Sequence, residues 1–438
     1  MFWETEGGIA RIIAQSNAKL SAIRVGAVVF LVLFTACADR ERLNPLDPLN
    51  PQTKGRPTGV EVISKKDRVI LSWDRIEVQG LVGYNIYRKS AQDSSFSKTG
   101  FCASTVTVFE DTDVRYDLEY GYQVSAVTSN YESFPSAPVF ITPGPTYYWV
   151  ADTYNGQIVK LTHDARHVIF RSSMIGYPYS IASYPGDGSA WVADVLSEEV
   201  IKISADGDFV QWVYGFSQPV DVAVDPADGS VWVADDWSGS ITKLNSFGNR
   251  DFDVSFFPQP TSLSVDRRDR GCWLVERGRK VANILPYQSA MELSIPFVSP
   301  QAVAVTTDGS LWVADSSAVH KLLPPYQRIA LSVPSFYFAY RVAVGEKTGS
   351  CWVLDIGGSG RLVKLSSQGE IEFELSGFSG ARSLTVSPYD EGCLICDTGN
   401  DRVVKVSAEG EVVAETGGFY RPFDGDVEYQ PFPVSKRQ

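Results

Sequence analysis

The chain has little histidine: His163, His167 and His320 are the only three in 438 residues. That scarcity weighs against a site built from several imidazoles, catalytic or metal-ligating. There is no Gly-rich phosphate loop, no Gly-x-Ser-x-Gly elbow and no His-Glu-x-x-His. Positive charge is also short. Thirty-nine Lys and Arg against 52 Asp and Glu leave a net charge of -13, which disfavours a nucleic-acid partner and suits solubility. Long apolar runs are missing too. The run from Val25 to Ala36 is twelve residues, against the roughly 20 needed to span a bilayer as a helix. Aromatic residues are plentiful at 12%, which fits a β-rich protein.

One tryptophan keeps returning. Trp149, Trp191, Trp232, Trp273, Trp312 and Trp352 recur every 39 to 42 residues, and Leu394 takes the next place. A carboxylate follows each three residues later: Asp152, Asp194, Asp235, Glu276, Asp315, Asp355 and Asp397. Around each lie short alternating runs and turn residues, as in Val220 to Val224, the turn at Asp225 to Gly229, and Ser230 to Asp235. Self-similarity at this period with four short strands per repeat predicts a seven-bladed β-propeller over residues 144–430. The first repeat lacks its own first strand, and an extra copy follows the last one, Phe419 to Val427. The C-terminal strand is therefore expected to complete the blade begun at Tyr147, which removes exposed sheet edges. The repeat Cys396-Asp397-Thr398-Gly399-Asn400-Asp401-Arg402-Val403 resembles NHL repeats. Related propellers include lyases and lactone hydrolases that hold a metal in the central channel. That resemblance implies a second reading, a metal-assisted lyase or lactonase with a divalent cation in the channel. No histidine falls near the expected channel mouth, and no metal ligand or catalytic residue is assigned.

Residues 56–143 resemble a fibronectin type III domain. The matching pieces are Val69-Ile70-Leu71-Ser72-Trp73, Gly83-Tyr84-Asn85-Ile86-Tyr87-Arg88, and the run from Tyr120 to Val127. Alternation within each run independently supports a two-sheet sandwich. The resemblance implies a corner at which the Tyr120 phenol bonds backbone, and it implies no catalysis. The whole chain is thus expected to be all-β.

Leu33-Phe34-Thr35-Ala36-Cys37, after a basic stretch and a short apolar run, looks like a bacterial lipobox. The resemblance implies a signal peptide over residues 1–37, lipidation of Cys37 and attachment to a membrane through that anchor. Residues 38–55 carry Pro45, Pro48 and Pro51 and are expected to form an extended Pro-rich tether. Residues 431–438 form a tail. With Cys37 lipidated, five cysteines remain, an odd number that excludes a complete disulfide framework. Cys393-x-x-Cys396 suggests a metal or redox pair, but a spacing of three along a strand sends the two side chains to opposite faces. Buried packing is the expectation for both.

The face expected to bind comprises the turns between strands two and three and the entries into strand one. There fall Tyr154, Tyr179, Trp237, Arg277, Arg279, Tyr340, Arg341, Arg382 and Arg421, with Asp221. Aromatics with arginine favour binding interfaces, and an arginine cluster in an acidic chain suits an anionic sugar or carboxylate. The seven carboxylates are expected to accept backbone N–H bonds at turns. The tryptophans are expected to pack between blades. The expected role is noncatalytic binding of an envelope protein or glycan, extracytoplasmic and lipid-anchored, with no required cofactor.

Overall fold

The computed structural model describes residues 43–65, 67–173 and 175–429. Residues 1–37 with Cys37, and the tail 431–438, lie outside them. Within the described residues the chain is all-β; its helices are two single 3-10 turns, Thr153–Asn155 and Thr398–Asn400. No helix is long and apolar enough to cross a membrane.

Residues 61–141 form two antiparallel sheets. One runs Glu61–Lys65, Arg68–Ser72, Val108–Asp111; the other orders Ser97–Ala103, Leu81–Ser90, Tyr120–Thr128, Val139–Ile141. Both follow the two-residue period. Val69 and Leu71 face in from the first sheet, and Tyr84, Ile86, Tyr122, Val124 and Ala126 face in from the second, all in one shared core. Trp73 packs edge-on to Tyr84 with centroids 5.2 Å apart. Cys102 is buried and unpaired here. The Arg115 N–H donates to Tyr120 Oη at 3.0 Å.

The segment before this core departs from expectation. An extended proline-rich tether was expected over 38–55, but residues 44–55 fold into turns. The Asp47 N–H donates to the Asn44 carbonyl at 3.0 Å and the Asn50 N–H to the Asp47 carbonyl at 2.9 Å. Thr53 Oγ1 donates to the Pro45 carbonyl at 2.5 Å, and Leu46 is buried in the same core as Trp73. Asn44, Asp47 and Asn50 cap the turns with their side-chain oxygens. Proline fixes φ but leaves turns available, and an apolar side chain with a core within reach gains about 1.5–3 kcal/mol by entering it.

Residues 146–429 build five four-stranded antiparallel sheets and one six-stranded sheet. The six-stranded sheet arises because Leu311–Leu322 and Ile329–Val344 run on without a break where other repeats have separate strands. Within each sheet, chain-consecutive strands pair. The first sheet is the exception: Pro422–Tyr429, from the chain's end, pairs antiparallel with Thr146–Asp152. Gly425 sits at that junction, where a side chain would press on Cys396 Sγ and the Trp149 carbonyl.

The tryptophans join sheet to sheet. Trp149 packs with Ile181, Val192 and Ile201 of the next sheet, and Trp191 with Val222 and Val233. Trp232, Trp273, Trp312 and Trp352 repeat the contact, and Leu394 returns it to Tyr148 and Val150. All six indoles are fully buried. A repeat-borne lysine adds a second join. Lys160 Nζ lies 4.5 Å from the centroid of Trp149 and donates to the Ala205 carbonyl at 2.9 Å. Lys202, Lys321 and Lys364 do the same one sheet further on. Lys405 reaches the His163 carbonyl at 2.9 Å and links the last sheet to the first.

Cys393 and Cys396 enter different apolar clusters. Burial pushes both thiols above the ordinary range.

Candidate functional site

The first strand of each sheet faces a central cavity of about 730 Å³. These lining strands contact one another in a closed circle, from Pro178–Tyr184 through Pro219–Val224, Pro260–Val265 and Pro300–Val305 to Ile329–Val344, Ser383–Val386 and Pro422–Tyr429. A first strand has a partner on one side only, so its outer N–H groups need acceptors. Side chains of the neighbouring lining strand supply them. Asp221 Oδ2 accepts the Leu263 N–H at 2.7 Å, Asp424 Oδ2 the Ile181 N–H at 2.9 Å, and Asp426 Oδ2 the Ser183 N–H at 2.7 Å. Ser262 and Ser264 accept the Val303 and Val305 N–H groups.

The cavity has two unlike ends. In an antiparallel meander, the turns joining strands one to two and three to four share one end, and the remaining connections share the other. Among the described residues, the hydrogen bonds from the two-sheet module all reach the first end. Tyr389 Oη donates to Asp117 Oδ2 at 2.6 Å. His163 Nε2 lies 3.2 Å from Asp117 Oδ1, and Arg166 Nη1 lies 3.3 Å from Glu119 Oε2. His163 is buried in this junction, held by Thr146. Charges at this end are paired, as in Arg267 with Glu346, Arg268 with Asp266 and Arg270 with Asp225.

The opposite end is the mouth. Tyr179, Tyr340, Arg341 and Arg382 line it together with Asp221, Phe423 and Asp424. They stand at the entries of the lining strands, where the connector from the preceding sheet turns inward. Those connectors are held by the repeated carboxylates. Asp194 accepts the Gly176 and Tyr177 N–H groups at 2.6 and 2.8 Å, Asp235 those of Ser217 and Gln218, and Asp355 those of Tyr337 and Phe338. Glu276 is longer and takes a different course, pairing with Arg279 at 2.7 Å and lying 3.5 Å from Lys280.

Arg382 lies 4.1 Å from the centroid of Phe423, and its Nη1 donates to Tyr179 Oη at 3.1 Å. Arg341 stacks on Tyr340 at 4.8 Å. Among the described residues its guanidinium has no hydrogen-bond or ion-pair partner. Tyr154 anchors a neighbouring aromatic group with Tyr177, Tyr420 and Phe423, and Arg421 Nη1 donates to its Oη at 3.4 Å. The structure thus brings Tyr154, Tyr179, Tyr340, Arg341, Arg382 and Arg421 to one region. Of these, Tyr154 and Arg421 stand beside the cavity lining rather than in it, and Trp237, Arg277 and Arg279 do not line the cavity. Trp237 is exposed, Arg279 is engaged with Glu276, and Arg277 is near enough to Tyr340 to affect its charge.

Electrostatics follow from this layout. Burial pushes the Asp221 carboxyl up to about 7, with nearby Asp424 adding to the rise and Arg341 opposing it. Arg341, and behind it Arg382 and Arg277, hold the Tyr340 phenol below its ordinary range. Asp221, Tyr340 and Arg341 are half-buried and open to the cavity. Further along the cavity, burial raises the Asp426 carboxyl.

Sequence reasoning missed Asp424, Asp426, Phe423 and Ser180. Part of their signal was present: Asp424 stands at the strand position of Asp221 and Arg341, and Asp426 where the other lining strands carry Ala, Ser or Thr. No histidine lines the cavity, and no group of three or more His, Cys, Asp or Glu among the described residues is placed to hold a metal.

No family model matches the chain. The structure is similar to a functionally unknown protein from Desulfotomaculum acetoxidans, with TM-score 0.57 and 12% identity over 65% of this chain and 99% of that one. It is similar to apo AztD from Citrobacter koseri, with TM-score 0.52 and 11% identity over 66% and 99%. It is also similar to a streptogramin B lyase, with TM-score 0.50 and 14% identity over 56% and 86%. The fold is all-β and propeller-like. In sequence, 99 residues are 37% identical to an amylopullulanase from Thermoanaerobacterium saccharolyticum, covering 22% of this chain and 7% of that protein. The chain spans less than a tenth of the length of the curated relatives it matches.

Proposed function

We propose that this is a lipid-anchored cell-envelope protein that binds a protein or glycan, without catalysis, at the mouth of a seven-bladed NHL-like propeller. The observation that carries the reading is the contrast of the two cavity ends. The end held by the two-sheet module has its arginines paired, while the mouth keeps Arg341 unpaired beside aromatic side chains. Half-buried arginine and tyrosine around a concavity are the residues that dominate binding interfaces. The seven-blade count is supported by splitting the six-stranded sheet at its two long strands and by the closed circle of lining strands. A fibronectin type III-like module is supported by the Trp73–Tyr84 pair and the Tyr120 corner. That module occupies the end away from the mouth, an arrangement that suits a spacer between anchor and binding face.

Binding is tested by passing solubilised envelope proteins and glycans over the full chain and over its Arg341→Ala and Arg382→Ala variants. Retention by wild type and loss by both variants supports the reading; equal retention sinks it. Fatty-acid labelling of wild type but not of Cys37→Ala tests the anchor.

A further inference from the structure

Two observations at the mouth have no structural use yet: an arginine without an acceptor, and a serine shared by two carboxylates. Ser180 Oγ lies 2.9 Å from Asp221 Oδ1 and 2.8 Å from Asp424 Oδ2. It also receives the Val222 N–H at 3.3 Å. A hydroxyl carries one proton and can donate to one carboxylate only. The other carboxyl must itself donate, so the Asp221–Ser180–Asp424 bridge holds one acid proton. Asp221 is the member whose carboxyl is raised, to about 7. Arg341 is the reverse case: five fixed N–H donors with no acceptor among the described residues.

We propose that the mouth is a proton-linked site for an acidic saccharide, whose carboxylate seats on Arg341 and Arg382 while the Asp221–Ser180–Asp424 bridge keeps its proton. This rests on reading the mouth as the binding surface. The guanidinium fork matches a carboxylate in two-point geometry. Tyr179 and Tyr340 flank it with half-exposed ring faces, and the serines deeper in the cavity offer polar lining for hydroxyl groups. A carboxylate brought beside Asp221 meets more repulsion when that bridge is fully ionised than when it holds its proton. The charged and titratable groups that share the cavity mouth with Asp221 are Arg341 and Tyr340 on one lining strand, Asp424 and Asp426 on another and Arg382 at the entry of a third, with buried Cys272 behind Asp221. Arg341 and Arg382 stay charged, so the bridge sets the pH response. An anionic ligand favours the protonated bridge, so affinity is full below the Asp221 value and falls as pH rises through it.

The test is calorimetric titration of the full chain with a galacturonate oligomer, one pH unit below and one above the Asp221 value of about 7. We expect affinity about tenfold weaker at the higher pH, the response of one linked proton. Asp221→Asn copies the protonated carboxyl, because its amide can donate to Ser180 while its oxygen accepts from Leu263. It should bind as tightly as wild type at the lower pH and show no fall at the higher one. Arg341→Ala should weaken binding on the order of tenfold or more. Arg341→Lys, which keeps charge and bulk, should fall between, and thermal melts of both variants check folding. A pH dependence that persists in Asp221→Asn overturns the proton linkage. Equal binding of a neutral galactose oligomer or of polyglutamate overturns the acidic-saccharide assignment. Envelope retention lost in Arg341→Ala while the uronate oligomer never binds would leave the broader binding reading standing and remove this one. Uronate binding with envelope retention unchanged in the variants would do the opposite.

Discussion

The two ends of the central cavity are made from the same repeat yet use arginine differently. At the end covered by the two-sheet module, Arg267, Arg268 and Arg270 each meet a carboxylate, and Arg268 also meets Tyr326. At the mouth, Arg341 meets only a ring face, and Arg382 spends one N–H on Tyr179. Turn arginines beside Asp-rich hairpins find partners in their own repeat (Arg268 with Asp266), in the one before (Arg270 with Asp225) or two repeats on (Arg267 with Glu346). Arginines at strand entries face the axis, where the nearest carboxylates, Asp221 and Asp424, are already committed to backbone and to Ser180. Identical chemistry is structural in one place and free for a ligand in the other because of what the neighbouring strand has used up.

The comparison breaks most completely if the strand both ends share is removed. Truncation after Gly418 deletes Pro422–Tyr429, which supplies Asp424 near the mouth and, further along, Glu428 to Trp149 and Lys160. The cooperative thermal transition should disappear, as followed by circular dichroism; an unchanged midpoint would mean the circle does not depend on this strand. Next in size is Asp194→Ala, which strips acceptors from the Gly176 and Tyr177 N–H groups. It should cost about 3 kcal/mol in denaturant unfolding. Glu276→Ala should cost only about 1 kcal/mol, since its partners are partly solvated cations. Equal losses would show that repeat position rather than hydrogen bonding decides the cost.

Asp221→Asn comes third. The native value of about 7 lies above the unfolded value near 3.9. The group's favourable contribution is therefore fully present below about pH 4 and lost as pH rises through 7. The Asn variant should be more stable than wild type above pH 7 by about 1 kcal/mol, allowing for screening by channel water. At pH 4 it should gain nothing, and thermal melts across that window check the sign. Smallest is Arg267→Ala, expected to cost at most about 0.5 kcal/mol because its pair with Glu346 is exposed. A larger loss there would show that the pairs at this end carry more than a solvent-screened contact supplies.

Much of the strand pattern was legible because the tryptophan spacing marks the second strand of every repeat, and each indole proved buried against the next sheet. The mouth was half legible. Tyr179, Tyr340, Arg341 and Arg382 stand at a recognisable place in the repeat, the entry to the lining strand. Asp424 and Ser180 were not, because their meaning depends on a contact between residues 244 positions apart. Trp237 shares the repeat position of Tyr154 and Arg279 lies in the corresponding turn of its own repeat, but these turns leave the lining of the cavity to the strands. The folded segment 44–55 was hidden for another reason. Proline density reports what the backbone cannot do, whereas the burial of Leu46 depends on a core formed by residues that follow it.

The pairing of Pro422–Tyr429 with Thr146–Asp152 also sets an order in time. During synthesis the first sheet waits, three strands wide and open along one side, until residues 422–429 have been made. Every earlier sheet can form as it emerges, but none can finish the circle. A chain stopped before Pro422 presents the unpaired edge of Thr146–Asp152 to whatever is nearby, and the eight residues Pro422–Tyr429 decide whether the circle closes.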